Sequence, residues 1–248
     1  MKHQIIPLFI GNTEKPYDKS GLVYRYPAGE SYIMPNGFFA VKTENGDTVM
    51  IDTGMPDPEV IDEMGYAHMA EGTRTFEQIM RDEGIDPLAV RTVIVTHLHW
   101  DHSWNLDKFP NAAVYVQRKE IYHAVTPYKP ERTSFGFVKG KTNPPWLKAI
   151  DRVVPVDGDE EILPGIRVLL TPGHTHGGQS VLVDTAEGTY AMTGDYYLIP
   201  ESYERELPPA LHVTTRGFYE GLKKLKKAGL AGILGTHDVK TYERKVWG

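Results

Sequence analysis

Apolar positions along the chain fall mostly into short runs of strand length, interrupted by three stretches with helical character. Residues 23–26, 37–42 and 48–51 read as strands, the last two joined through the turn-prone Glu44-Asn45-Gly46-Asp47. Val90-Arg91-Thr92-Val93-Ile94-Val95-Thr96 is almost continuously β-branched, as suits a strand buried on both faces. Further strands are predicted at 113–116, 152–155, 166–170, 179–183, 189–193 and 232–234, with helices at 75–83, 118–124 and 214–227. Two sheets with helices outside would bury such strands, so the pattern predicts a mixed α/β sandwich. Residues 126–146 fit no element. They are rich in Pro, Lys, Gly, Thr and Phe without a sustained period, and loops of that length tend to be lids, binding loops or disordered. The segment is read as a lid, with Phe135, Phe137 and Trp146 as an apolar wall or Arg132, Lys139 and Lys141 as anion-binding groups. An inert surface excursion is the alternative.

Composition narrows the classes. The 248 residues suit one domain spanning 1–248; 40% are hydrophobic and 24% charged, which argues against wholesale disorder. No apolar run approaches the roughly 20 residues a membrane-spanning helix needs. The first ten residues lack the length and small-residue cleavage site of an export signal, so a cytoplasmic address is expected. There is no cysteine, which removes disulfides, thiolate ligands and cysteine nucleophiles together. A net charge of -6 argues against nucleic acid as partner. The one basic cluster, Lys223-Lys224 with Lys226-Lys227, shares its segment with Phe218, Leu222 and Leu225 at helical spacing and reads as the wet face of a helix.

The chemistry concentrates in Thr96-His97-Leu98-His99-Trp100-Asp101-His102, directly after the β-branched run. Alternation sends His97 and His99 to one side at the strand's end, and Asp101 and His102 follow as the chain turns. Three histidines and an aspartate within six residues are hard to place in a core without a cation, and they are ligands suited to Zn²⁺, Fe²⁺ or Mn²⁺. Thr171-Pro172-Gly173-His174, Thr193-Gly194-Asp195 and Gly235-Thr236-His237 each put a further ligand candidate just past an apolar strand. Five histidines and two aspartates suffice for two metals.

This succession, HxHxDH, a histidine after Thr-Pro-Gly, Gly-Asp and a terminal histidine, resembles the metallo-β-lactamase superfamily, as does Ile51-Asp52-Thr53-Gly54. The resemblance implies a four-layer αβ/βα sandwich with two divalent ions at the sheet edge, zinc first, with iron, manganese or cobalt also suitable. It assigns His97, His99 and His174 to one metal, Asp101, His102 and His237 to the other, and Asp195 to both. Asp52 would hold a ligand or the backbone from behind, a turn-capping role being the alternative. His176 is a further candidate for such support or for touching substrate.

Within the superfamily, Gly54-Met55-Pro56, Val116-Gln117-Arg118-Lys119-Glu120, Leu163-Pro164-Gly165 and Thr171-Pro172-Gly173-His174 resemble the N-acyl homoserine lactonases. That likeness implies hydrolysis of a small lactone or ester by hydroxide made available between the metals. Two positions depart from it. Leu198 stands where those enzymes carry a tyrosine, which leaves Tyr196 and Tyr197 either as replacements or as packing, and Ser103-Trp104-Asn105 replaces small residues. Asp101, Tyr196 and Tyr197 are therefore the candidate catalytic groups, and Trp100, Trp104, Phe137 and Leu198 the candidate substrate contacts. A monomer or homodimer is expected. A thioesterase of the glyoxalase II type shares the ligand set and is the alternative; a superfamily nuclease fits the charge poorly. Ser180 has no free His-Asp partner and reads as a strand or turn residue, and His3, His68, His123 and His212 read as ordinary.

Overall fold

A computed structural model describes residues 2–66, 69, 73–140 and 142–248; His68 and Lys141 lie outside the described residues. The strands, in chain order, are β1 (Gln4–Asn12), β2 (Tyr17–Asp18), β3 (Ser31–Tyr32), β4 (Pro35–Lys42), β5 (Thr48–Ile51), β6 (Thr92–Ile94), β7 (Ala113–Gln117), β8 (Val153–Val156), β9 (Glu160–Leu163), β10 (Ile166–Leu170), β11 (Gln179–Thr185), β12 (Gly188–Met192) and β13 (Gly232–Leu234). The helices are α1 (Pro58–Glu63), α2 (Phe76–Asp82), α3 (Trp100–Ser103), α4 (Arg118–Val125), α5 (Pro200–Glu204) and α6 (Thr215–Lys227). Two large sheets result, one in the order β1-β4-β5-β6-β7-β8 and one in the order β13-β12-β11-β10-β9.

Three apolar clusters make the layers. Phe39, Val49, Ile51 and Ile94 of the first sheet meet Val168, Val181, Val183 and Met192 of the second. The opposite face of the first sheet, through Val93 and Val114, packs on Ile61, Phe76 and Ile79 of α1 and α2. Leu182 and Ala191 turn the outer face of the second sheet towards Phe218, Leu222 and Leu225 of α6. Strands buried on both faces need apolar residues at consecutive positions, which is why 90–96 carries no polar alternation. The four-layer sandwich expected from the resemblance is the architecture found.

Local signals explain where elements start. Thr75 caps α2 by accepting from the Gln78 N–H at 3.2 Å while the Gln78 side chain accepts from the Thr75 N–H at 2.9 Å. On α6, Lys224 pairs with Asp159 at 2.6 Å and Lys226 with Glu206 at 2.5 Å, so the basic cluster is an ion-paired outer face.

Residues 23–26 do not form the predicted strand. Val23 makes one isolated bridge to Pro209 and Arg25 sits at φ +58, a left-handed turn that breaks the ladder. The 126–146 segment is packed down on the first sheet's helical layer, with Phe135 and Trp146 buried in that core. It carries a short 3-10 turn at Lys129–Glu131, and a longer one runs on from Pro145–Arg152.

Candidate metal centre

Every ligand candidate stands just beyond a strand, at one edge of the two sheets. His97 follows β6, His99 precedes α3, and Asp101 and His102 lie within α3. His174 is on the β10–β11 loop, Asp195 in a 3-10 turn after β12, and His237 after β13. The side chains gather into two groups, His97–His99–His174 and Asp101–His102–Asp195–His237, each with its candidate ligand atoms within 4.8 Å of one another. Asp195 lies between them. Its Oδ2 is 3.4 Å from His174 Nε2 and 4.0 Å from His97 Nε2. Its Oδ1 is 3.0 Å from His102 Nε2 and 3.2 Å from His237 Nε2.

The outward-facing ring nitrogens of three imidazoles are engaged, which fixes ring orientation and leaves the other nitrogen on the interior side. His102 Nδ1–H donates to Asp52 Oδ2 at 2.8 Å, His237 Nδ1–H to the Pro35 carbonyl at 2.8 Å, and His174 Nδ1–H to the Leu211 carbonyl at 2.8 Å. His97 Nε2, His102 Nε2 and Asp195 Oδ1 are buried without a hydrogen bond. Buried polar atoms are ordinarily partnered, so lone pairs converging in this way fit a cation.

Asp52 earns its place through geometry. Its carboxylate accepts from Thr96 N–H at 2.6 Å and Thr96 Oγ1–H at 2.8 Å besides the His102 bond, and its backbone is held at φ +60. It thus ties the end of β5 to the strand end that carries His97 and to His102 itself. Gly194 is required opposite, because a Cβ there would overlap Thr96 Oγ1.

Electrostatics differ between the groups. Burial, followed by neighbouring imidazoles, holds His97 and His99 well below the usual histidine value and so keeps them neutral. Burial also opposes charge on His102 and His237, but Asp195 foremost and Asp101 outweigh it and push both imidazoles up. Burial would raise the Asp195 carboxyl, yet His102 and His237 draw it well below the usual carboxylate range.

A cleft of about 430 Å³ opens over His99, Asp101, His174 and Asp195. Its walls include Tyr66, Met69, Trp100, Phe135, Leu211 and Val213, with the Trp100 ring tilted against Tyr66 at 5.1 Å and Phe135 edge-on to His99 at 4.7 Å. Trp100 thus lines this cleft, whereas Tyr196, Tyr197, Leu198, Trp104 and Phe137 stand outside it. Tyr196 donates its hydroxyl to the Phe218 carbonyl of α6 and stacks on the Phe218 ring, while Tyr197 packs against Tyr203 and Phe218. Neither phenol lines the cleft; burial raises both, Tyr197 with its neighbour Glu206 adding to the effect. Leu198 packs into the first sheet's apolar core. Trp104, on the turn after α3, faces a recess with Asp57 and Lys108, and Phe137 a separate recess of about 660 Å³ with Arg132 and Lys139. The His176 ring packs at a tilt against His123 at 4.4 Å, outside both ligand groups.

Two histidines read as ordinary from their spacing, His123 and His212, also line the cleft. His123 pairs with Glu131 at 2.7 Å, and His212 bonds the Pro209 carbonyl at 2.9 Å. Their hydrogen-bond partners are near in sequence, but neither stands at ligand spacing, and only the fold brings them to the cleft beside His99 and His174. Ser180 is buried in β11, its Oγ 2.8 Å from Thr171 Oγ1, and Asp238 caps the turn Val239–Glu243 from a buried position.

Residues 36–238 match the Metallo-beta-lactamase superfamily. The N-acyl homoserine lactonase of Bacillus cereus is 31% identical over 205 residues, 77% of this chain and 75% of that protein. The N-acyl homoserine lactonase of Bacillus thuringiensis is 29% identical over 238 residues, 90% of this chain and 88% of that protein. A crystal structure of a quorum-quenching N-acyl homoserine lactone lactonase shares the fold with a TM-score of 0.76, covering 98% of this chain and 95% of that one at 24% identity. A match along most of the sequence, together with two groups of histidine and aspartate ligands at the expected sheet edge, makes this chain a member of the metallo-β-lactamase superfamily and a metal-dependent hydrolase.

Proposed function

We propose that the protein hydrolyses the ester bond of a lactone ring, with N-acyl homoserine lactones or closely related lactones as substrates. The observation that carries this reading is the position of Asp195 between two ligand groups at the floor of an apolar cleft. His97, His99 and His174 would hold one divalent ion and Asp101, His102 and His237 the other, with Asp195 reaching both and zinc the first candidate. Two such ions lower the pKa of a shared water towards neutrality and polarise a carbonyl, so no serine or cysteine nucleophile is needed.

The chain's own groups account for the rest. The neutral imidazoles of His97 and His99 leave their lone pairs available, and the Asp52, Pro35 and Leu211 acceptors keep three further rings aimed. Asp101 both faces the ligand group and lines the cleft, so its Oδ atoms are placed to take a proton and return it to the alcohol that ring opening releases. Trp100, Tyr66 and Phe135 exclude water from the ester and pack the group attached to the lactone. The 130–135 stretch forms one wall of the cleft, which gives the 126–146 segment its role.

The test is a panel of N-acyl homoserine lactones, simple lactones, thioesters and phosphodiesters, assayed after chelator treatment and after reloading with zinc, manganese or cobalt. Lactone turnover that disappears on chelation and returns on reloading is expected. Activity surviving complete removal of metal would refute the reading, and a thioester turned over faster than every lactone would transfer it to the glyoxalase II type.

A further inference from the structure

Glu120, in the first turn of α4, is fully buried, yet nothing in the chemistry above uses it. Its Oε1 accepts the Leu98 N–H at 3.0 Å and its Oε2 accepts the Gly177 N–H at 3.0 Å. Leu98 separates His97 from His99, and Gly177 follows His174 by three residues on the other loop. One carboxylate therefore ties together the two loops that supply all three imidazoles of the histidine-only group. The approach is close: a Cβ on Gly177 would fall 2.6 Å from Glu120 Cα, so that loop lies directly on the start of α4.

The neighbouring side chain works in the same direction. Gln117 donates to Gln179 Oε1 at 2.9 Å, and Gln179 in turn donates to the Val95 carbonyl at 2.8 Å, just before the first of the ligands. The segment Val116-Gln117-Arg118-Lys119-Glu120 thus grips the strand end bearing His97 and His99 as well as the loop from His174. Burying a carboxylate is costly, and burial does push the Glu120 carboxyl up. Two N–H donors from separate loops offset that cost only while both loops keep their places.

We propose that Glu120 is the positioning residue of the His97–His99–His174 group, its carboxylate setting the spacing between the two loops and hence the affinity and geometry of the cation site they form. The proposal rests on the two-site reading of the centre. It says nothing of substrate, and it leaves the Asp101–His102–Asp195–His237 group, which Asp52 and Pro35 orient, outside Glu120's influence.

The decisive experiment titrates the chelator-stripped full-length protein with Co²⁺ against a chromophoric competitor and records the visible absorption of each step. In the parent protein two steps are expected. In Glu120→Gln the amide keeps the shape but turns a donor towards one of the two N–H groups. One step should weaken by about 10–100-fold with a shifted absorption band, while the other keeps its affinity and its band. That unchanged step also reports that the variant is folded. Should Glu120→Gln fail to fold, Gly177→Ala, which pushes the loop off α4 and leaves the carboxylate in place, must show the same selective weakening. Two unchanged steps, or two steps weakened equally, overturn the proposal and leave the two-site reading standing. No cation uptake by the parent protein overturns both.

Discussion

The two halves of the centre hold their ligands by different means. The acid-containing half is fixed through its own side chains: Asp52 bonds the His102 ring, and the Pro35 carbonyl bonds the His237 ring. In the histidine-only half, His174 has a ring acceptor in the Leu211 carbonyl and His97 Nδ1 meets Thr96 Oγ1 at 3.2 Å; apart from the shared Asp195, no carboxylate among the described residues contacts its imidazoles, and the loops beneath them are what Glu120 ties down. The difference follows from charge. His102 and His237 face carboxylates that favour their cationic form, and a firm acceptor on the outer nitrogen keeps the lone pair on the inner side. His97 and His99 are already kept neutral by burial, so backbone placement is enough.

The largest expected effect comes from removing what the halves share. Asp195→Ala should lower lactone hydrolysis by at least about a thousandfold, in line with the several kcal/mol that bound cations contribute, and elemental analysis should show both cation sites depleted. Loss of one ion only would mean that Asp195 serves a single half. Next is Asp52→Asn. Asparagine tolerates the left-handed backbone at this position, so the fold should survive while cation affinity falls about 10–100-fold in the acid-containing half, with a smaller loss in the other half, whose His97 Asp52 reaches through Thr96. Competition titration checks this, and it is the mirror image of Glu120→Gln.

The halves should also part company with pH. Because the His102 and His237 values are raised, protons occupy those rings at and somewhat above the ordinary histidine value and must leave when a cation enters. Apparent affinity there should rise with pH by about tenfold per unit for each proton displaced, flattening once pH exceeds the raised values. His97 and His99 are lowered, hence unprotonated near neutrality, so the other step should depend on pH less steeply over the same range. Calorimetric titration in buffers of different ionisation enthalpy counts the protons directly. The smallest effect is expected from Tyr196→Phe. Losing its bond to the Phe218 carbonyl should cost about 1 kcal/mol in chemical denaturation, with kcat and both cation affinities unchanged. A large fall in kcat would restore that phenol to the chemistry.

What the sequence could reveal follows from how local each signal is. The ligands were legible because six residues carry four of them and the rest stand just after apolar strands; Asp52 was legible from Ile51-Asp52-Thr53-Gly54. The strand β1 was missed because Pro7 interrupts an otherwise apolar run, yet β1 is an edge strand, where a missing N–H is tolerated. Trp104 and Tyr196 stand outside the cleft for a common reason. Each is a large aromatic close in sequence to a ligand, but the short turns after α3 and β12 rotate its ring away from the cleft. Glu120 bonds two distant loops, and His123 and His212 reach the cleft only because distant segments meet there, which no spacing encodes.

Leu211 and Val213, Pro130 and Phe135, and Tyr66 border the cleft from stretches of chain that contribute no metal-binding side chain. Much of the cleft's border can therefore change its side chains without touching a ligand, although Trp100 stands between two ligand candidates and the Leu211 backbone orients His174. Under the proposed reading, side-chain exchanges in those bordering stretches should alter which acyl groups are accepted while the reacting centre stays as it is, so new substrate ranges should be sought there first.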